Sequence, residues 1–133
     1  MLIQPFELYS DEYWRAEQLS GTTIIQVERS AAPFPTPQVL ERRFSALIRS
    51  LDPLDRPKHA LLIDLRSVAG RNDPEFERRI EPGRVRLQRG FRRVAVLVNS
   101  VVGQLQVQRH AVQDKATLRT FLDHAKALEW LGG

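Results

Sequence analysis

The sequence predicts an α/β fold: a single domain over residues 1–133, with a mixed, mostly parallel sheet of about five strands, an opening antiparallel hairpin and about four flanking helices. Three observations lead there. Two apolar runs of strand length, Ala60 to Leu65 and Val94 to Val98, lack the polar alternation of a half-exposed strand, as expected for strands covered on both faces. Segments with helical spacing of apolar residues alternate with the strand candidates, and a strand, helix, strand succession builds parallel pairs. The size also fits, because 133 residues with 42% hydrophobic content suffice for one packed core.

In chain order, Phe6 to Tyr9 alternates apolar and polar as an edge strand does, and Tyr13 to Glu17 is a weaker strand candidate. Ser20-Gly21 supplies a turn before Thr22 to Glu28, whose β-branched residues favour a strand. Pro33 and Pro35 cannot extend a ladder, since proline has no amide donor. Thr36-Pro37 is a helix start, with Leu40, Phe44, Leu47, Ile48 and Leu51 on one face and Asp52-Pro53 as the stop. After the Ala60 strand, Asp73 is placed to cap a helix and Pro74 to open it, with Phe76, Ile80 and Leu87 inward. Pro82-Gly83 is expected to kink that helix or divide it in two. Asn99-Ser100 then starts a third helix carrying Val101, Leu105 and Val112 inward, Leu118 to Phe121 forms a last strand, and Asp123 begins a closing helix that buries Ala127, Leu128 and Leu131 with Trp130 half out.

The chemistry that can be excluded is broad. There is no cysteine, hence no disulfide, thiolate site or thiol nucleophile. His59, His110 and His124 lack metal-ligand spacing, and no metal or other cofactor is expected. No apolar stretch approaches the roughly 18 to 20 residues of a spanning helix. The start, Met1 to Glu7, has no leader-like pattern, so a cytoplasmic location is expected. Gly70, Gly83, Gly90 and Gly103 are isolated and form neither a dinucleotide fingerprint nor a P-loop. Ser100 sits at a strand-to-helix turn, where its simplest role is a cap, and Glu75 and Glu77 in a helix's first turn suit the macrodipole. No catalytic constellation assembles, and the protein is expected not to be an enzyme.

Twenty basic against 16 acidic residues give a net charge of +4. Seventeen of the basic residues are Arg, a skew that codon usage in a GC-rich genome produces without any partner. Arg84, Arg86, Arg89, Arg92 and Arg93 fall in a window, 82 to 93, that holds no carboxylate, whereas residues 1 to 35 carry a local charge of −3. The arginines are either an anion-binding stripe, suited to phosphates by their planar forks, or a solvated helix face paired with Glu75, Glu77 and Glu81. The composition argues against nucleic acid as a partner, because only Phe91 offers an aromatic among them.

The segment Ile63-Asp64-Leu65-Arg66-Ser67-Val68, followed shortly by a helix start, resembles the STAS domains, the anti-sigma-factor antagonists and their relatives, in particular the divergent bacterial STAS/SEC14-like branch. The closing Ala127-Leu128-Glu129-Trp130-Leu131 is similar to the Ala-Leu-x-Trp-Leu ending of those relatives, and the order of elements agrees along nearly the whole chain. The resemblance implies a mixed sheet flanked by helices and a non-enzymatic module that binds a protein. The antagonists carry Asp-Ser-Ser-Gly at the start of the second helix, where a partner kinase phosphorylates a serine. In this register Asn72-Asp73-Pro74-Glu75 stands there, so Asp73 replaces the first serine and Pro74 the second. Asp73 is then either a plain helix cap or a fixed negative charge in place of a phosphoserine. Ser67 is the remaining hydroxyl of the loop.

The leading expectation is therefore a regulatory protein-interaction module whose partner is of kinase, anti-sigma or polarity type, with a homodimer as a further possibility. Its expected surface comprises Ser67, Val68, Gly70, Arg71, Asn72, Asp73, Glu75 and Ser100, at the carboxyl ends of two strands, where α/β proteins commonly bind. Two alternatives stand beside it. One is a small-ligand carrier or sensor for lipid or nucleotide-like molecules, implied by the SEC14-like relatives. The other is weak nucleic-acid binding through the Arg84 to Arg93 stripe.

Overall fold

The computed structural model describes residues 6–68 and 74–132, with the side chains of 74–77 set aside. Its strands are β1 (Phe6–Ser10), β2 (Trp14–Gln18), β3 (Ile24–Arg29), β4 (Ala60–Asp64), β5 (Val94–Leu97) and β6 (Arg119–Phe121). Its helices are α1 (Pro37–Leu51), α2 (Pro74–Gln88), α3 (Val101–Gln113) and α4 (His124–Gly132). The six strands form one sheet in the order of the chain, β1 to β3 antiparallel and β3 to β6 parallel. The expected five strands become six because Trp14 to Gln18 pairs on both sides, turning the opening hairpin into a three-stranded meander. The Asp11 carboxylate makes its first corner, accepting from the Tyr13 and Trp14 amides at 2.6 and 2.7 Å and from the Tyr9 hydroxyl.

Strand periodicity splits the core. Ile25 and Val27 of β3, Leu61 and Ile63 of β4, and Val94 and Val96 of β5 face α1, whose Leu40, Phe44, Leu47, Ile48 and Leu51 are buried as the spacing requires. Thr36 caps α1, its Oγ1 accepting from the Val39 amide at 3.2 Å. The other face, Ile24, Ala60, Leu62, Ala95 and Leu97, is covered by α4 through Ala127 and Leu131, with Leu128 and Trp130 partly buried beside them. Asp123 Oδ1 accepts from the Lys126 amide at 3.2 Å and starts that helix.

Pro82-Gly83 does not divide α2, and the expected facing of α3 is corrected. α2 is a single helix that runs through Pro82. Pro82 lies exposed, and Gly83 beside it faces Phe44 of α1, so the close approach of the two helices holds the segment together. The orientation of α3 is also opposite to that expected. Val101 and Leu105 are each 61% exposed and Val112 79%, and none of the helix's residues is fully buried. Instead Gly103 faces the sheet, where a Cβ would meet Val98 Cβ at 3.4 Å, and Val107 packs on the core. The Gln104 and Gln108 amides donate to Thr120 Oγ1 at 3.3 and 3.2 Å. The close backbone approach allowed by glycine, together with two side-chain hydrogen bonds to β6, fixes the helix with its aliphatic stripe outward.

Gly83 yields a prediction. Glycine to alanine inside a helix ordinarily stabilises by up to about 1 kcal/mol. Here the new Cβ would lie 2.9 Å from Phe44 Cε2, and that ring is backed by Trp14 at a centroid distance of 5.1 Å. Gly83→Ala is expected to destabilise by about 1–3 kcal/mol in urea unfolding, with the loss reduced when Phe44→Leu is present in the same chain. A gain in stability on Gly83→Ala alone would refute the steric account.

Candidate functional site

The carboxyl ends of β3, β4 and β5 meet three connecting segments, residues 30–36, 65–68 and 98–100. Asn99 Nδ2 donates to the Arg66 carbonyl at 2.8 Å and ties the second connection to the third. Ser100 Oγ accepts from the Gly103 amide at 3.0 Å, so the hydroxyl is the cap of α3. Between these connections, α2 and the inner side of α3 lies a cleft of about 430 Å³. Leu65, Ile80, Val98 and Val107 supply apolar wall, and Val68, Val102, Asn99 and Ser100 also border it.

Arg29, the last residue of β3, is the unusual group here. It shares the inward register of Ile25 and Val27 and is only 8% exposed. Its guanidinium lies 4.3 Å from the centroid of Phe34, 5.6 Å from Trp14 and 5.7 Å from Tyr13. Nη1 donates to the Ser30 carbonyl at 2.6 Å and Nη2 to that of Ala32 at 2.7 Å. Burial lowers its pKa from the usual arginine value, and Asp11 opposes that shift only through space. Trp14, 5% exposed, also borders the cleft, and its indole N–H has no acceptor among the described residues. Arg84 enters from α2, held by Asp114 through two hydrogen bonds of 3.0 Å, with His110 of α3 nearby on the lining.

On the opposite face of the sheet, Asp64 ends β4 only 4% exposed. Arg66 grips it: Nε reaches Oδ1 at 3.1 Å, Nη2 reaches Oδ2 at 2.9 Å, and the Arg66 amide donates to Oδ1 at 3.0 Å. Burial pushes the Asp64 carboxyl up, but the Arg66 hydrogen bonds and charge, with His124 adding at longer range, outweigh it and hold the group below the ordinary carboxylate value.

The structure distributes the expected residues unevenly. Val68, Ser100 and Arg84 come together at the cleft. Ser67 is exposed just before Val68. Gly70, Arg71, Asn72 and Asp73 lie outside the described residues, and Glu75 belongs to the first turn of α2 with its side chain likewise outside them. The arginine stripe divides into separate roles. Arg92 and Arg93 donate to the Leu131 and Trp130 carbonyls of α4, while Arg86 and Arg89 are exposed. A wider, more open groove of about 690 Å³ near Arg92 is lined largely by the Gln18 to Ile24 turn and, among the described residues, contains no carboxylate side chain and no aromatic other than Phe6. Sequence reading missed Arg29, Trp14 and Phe34 as neighbours of a cleft. The signal present was an arginine at the inward register of an otherwise apolar strand.

No protein-family model matches the sequence, and no curated protein matches it significantly. Solved structures do match. One is an uncharacterized protein of the DUF3478 family with a SpoIIAA-like fold from Shewanella loihica PV-4, 14% identical, with 98% of each chain covered and a TM-score of 0.66. Another is an anti-sigma factor antagonist from Mycobacterium paratuberculosis, 14% identical, covering 98% of this chain and 94% of that one, with a TM-score of 0.52. The fold is thus SpoIIAA-like, in agreement with the STAS resemblance.

The Asp64–Arg66 pair yields a prediction. Its stabilisation is complete above an unfolded-state carboxylate pKa of about 3.9 and is lost as pH falls through the lower folded value. Without the arginine side chain, burial alone would raise the carboxyl, and acid would then favour the fold. Arg66→Met is expected to cost about 1–2 kcal/mol at neutral pH, the low end for a charge-assisted pair because half of Arg66 lies in solvent. That deficit shrinks toward about pH 3, which urea midpoints at the two pH values would reveal. A deficit independent of pH would mean that Arg66 acts only by packing.

Proposed function

We propose that this chain is a non-enzymatic regulatory module of STAS type that works by binding another protein at the carboxyl end of its sheet. The observation that carries the reading is the outward stripe of α3. Val101, Leu105 and Val112 are exposed, with Val102, 75% exposed, beside the first of them and Val68, also exposed, lining the same cleft as Val102. An aliphatic stripe turned to water while glutamines of the same helix bond inward is costly for an isolated fold and useful as an interface. The likeness to an anti-sigma factor antagonist supports a partner of kinase, anti-sigma or polarity type, and in the sequence register Asp73 stands where such antagonists carry the phosphorylated serine, as a fixed negative charge. A homodimer through the same stripe is the alternative assembly. The nucleic-acid reading receives less support, because three of its five arginines are engaged by Asp114 or by α4 carbonyls.

The test compares wild type with Val101→Glu/Leu105→Glu and with Asn72→Arg/Asp73→Arg, each first shown to unfold cooperatively. Affinity capture from the source organism should give a partner whose binding to the purified chain weakens at least about tenfold in the helix variant. The loop variant should lose it also if Asp73 contributes. Equal binding by wild type and both variants would overturn the assignment of this surface. Light scattering that shows a wild-type dimer and a monomeric helix variant would assign the stripe to self-association.

A further inference from the structure

We infer that the cleft beneath α3 is a binding site for a small amphipathic anion, an apolar chain ending in a carboxylate or phosphate, with Arg29 as its anchor. The inference stands independently of the protein partner proposed above. Its first support is the charge state of the lining. Among the described residues no Asp or Glu borders the cleft, whereas Arg29 and Arg84 do. Arg84 is neutralised by Asp114, which leaves Arg29 as a buried cation whose acceptors among the described residues are carbonyls and the Ser30 hydroxyl rather than a carboxylate.

A buried charge of this kind is costly unless paired. The aromatic rings of Tyr13, Trp14 and Phe34 offset part of the cost through cation–π attraction. They also fix the guanidinium plane, but they supply no negative charge. An incoming carboxylate or phosphate would supply it and would meet a planar donor already held in place.

The second support is the shape and polarity of the remaining wall. Leu65, Ile80, Val98 and Val107 give the space beyond Arg29 an apolar surface, and about 430 Å³ lies within the range of small-molecule sites. A cation is disfavoured by Arg29, and a fully polar anion would leave the aliphatic wall unmatched. An anionic head on an apolar chain satisfies both.

The probes are dodecanoate and dodecyl phosphate, with dodecanol and dodecyltrimethylammonium as matched controls, all below micelle-forming concentration. Binding to the purified full chain is followed by calorimetry and by NMR of the Arg29 Nε–H. At least one anion is expected to bind at least tenfold more tightly than dodecanol, with no binding of the cation, and to shift the Arg29 signal. The tighter of the two anions identifies a carboxylate or a phosphate as the head group. Arg29→Gln should weaken that anion at least tenfold and leave dodecanol unchanged. Because Arg29 also braces residues 30–32, Val102→Glu at the exposed rim provides a variant that spares the core, and it should selectively weaken the anions. Equal affinity for dodecanol and the anions, an unmoved Arg29 signal, or absence of binding by every probe would each overturn the inference.

Discussion

The fold depends on β4 lying at the centre of the sheet with every residue buried. It pairs in parallel with β3 on one side and β5 on the other, so its alternate residues enter both hydrophobic layers. Parallel strands laid down in chain order require crossovers of one hand, which place successive helices on one face of the sheet. The opposite face is then bare until the chain passes β6, and α4 fulfils that requirement. The two arginines that precede β5 lock the end of α4 by its carbonyls, Arg93 also lying 5.2 Å from the Trp130 ring centroid. Two of the five arginines that looked available for a partner are therefore employed in closing the second layer.

The same constraint explains why chemistry gathers at one end. A strand buried on both faces can admit polar groups only where it leaves the core, and β4 does so at Asp64. Arg66 satisfies that carboxylate at once, and its carbonyl in turn holds Asn99. Neighbouring β3 ends on the other face with Arg29. Two buried charges thus stand at adjacent strand ends on opposite faces of the sheet. Asp64 is matched within three residues of chain, whereas among the described residues Arg29 has only neutral hydrogen-bond acceptors and aromatic rings.

Most of the scaffold was legible in the sequence because it rests on local rules. The α1 stripe from Leu40 to Leu51, the Thr36 and Ser100 caps and the apolar runs of β4 and β5 each state their role within a few residues. What was not legible depended on contacts distant in sequence. Whether α3 turned Val101 and Leu105 or Gly103 and Val107 inward could not be settled by periodicity, since both sets form stripes. It was decided by Val98, just after β5, and by Thr120 on β6. Pro82 read as a kink or a division because its local effect is to remove a hydrogen bond, while the Gly83–Phe44 contact that holds α2 against α1 spans nearly forty residues. The cleft was hidden for the same reason, assembled from Trp14, Arg29, Phe34 and α3 only when the sheet forms.

The placement of α3 gives it two surfaces with different tasks. Its inner side, through Gly103, Val107 and His110, walls the cleft, and its outer side carries the exposed aliphatic stripe. No residue of this helix is fully buried, so its attachment to the sheet is among the weakest in the fold and rests on a few contacts near Val98 and Thr120. A molecule seated against Arg29 would touch the inner side of the element that a protein partner touches from outside. Any difference in position or rigidity that one occupant imposes on α3 alters the affinity of the other, and thermodynamic linkage makes that effect equal in both directions.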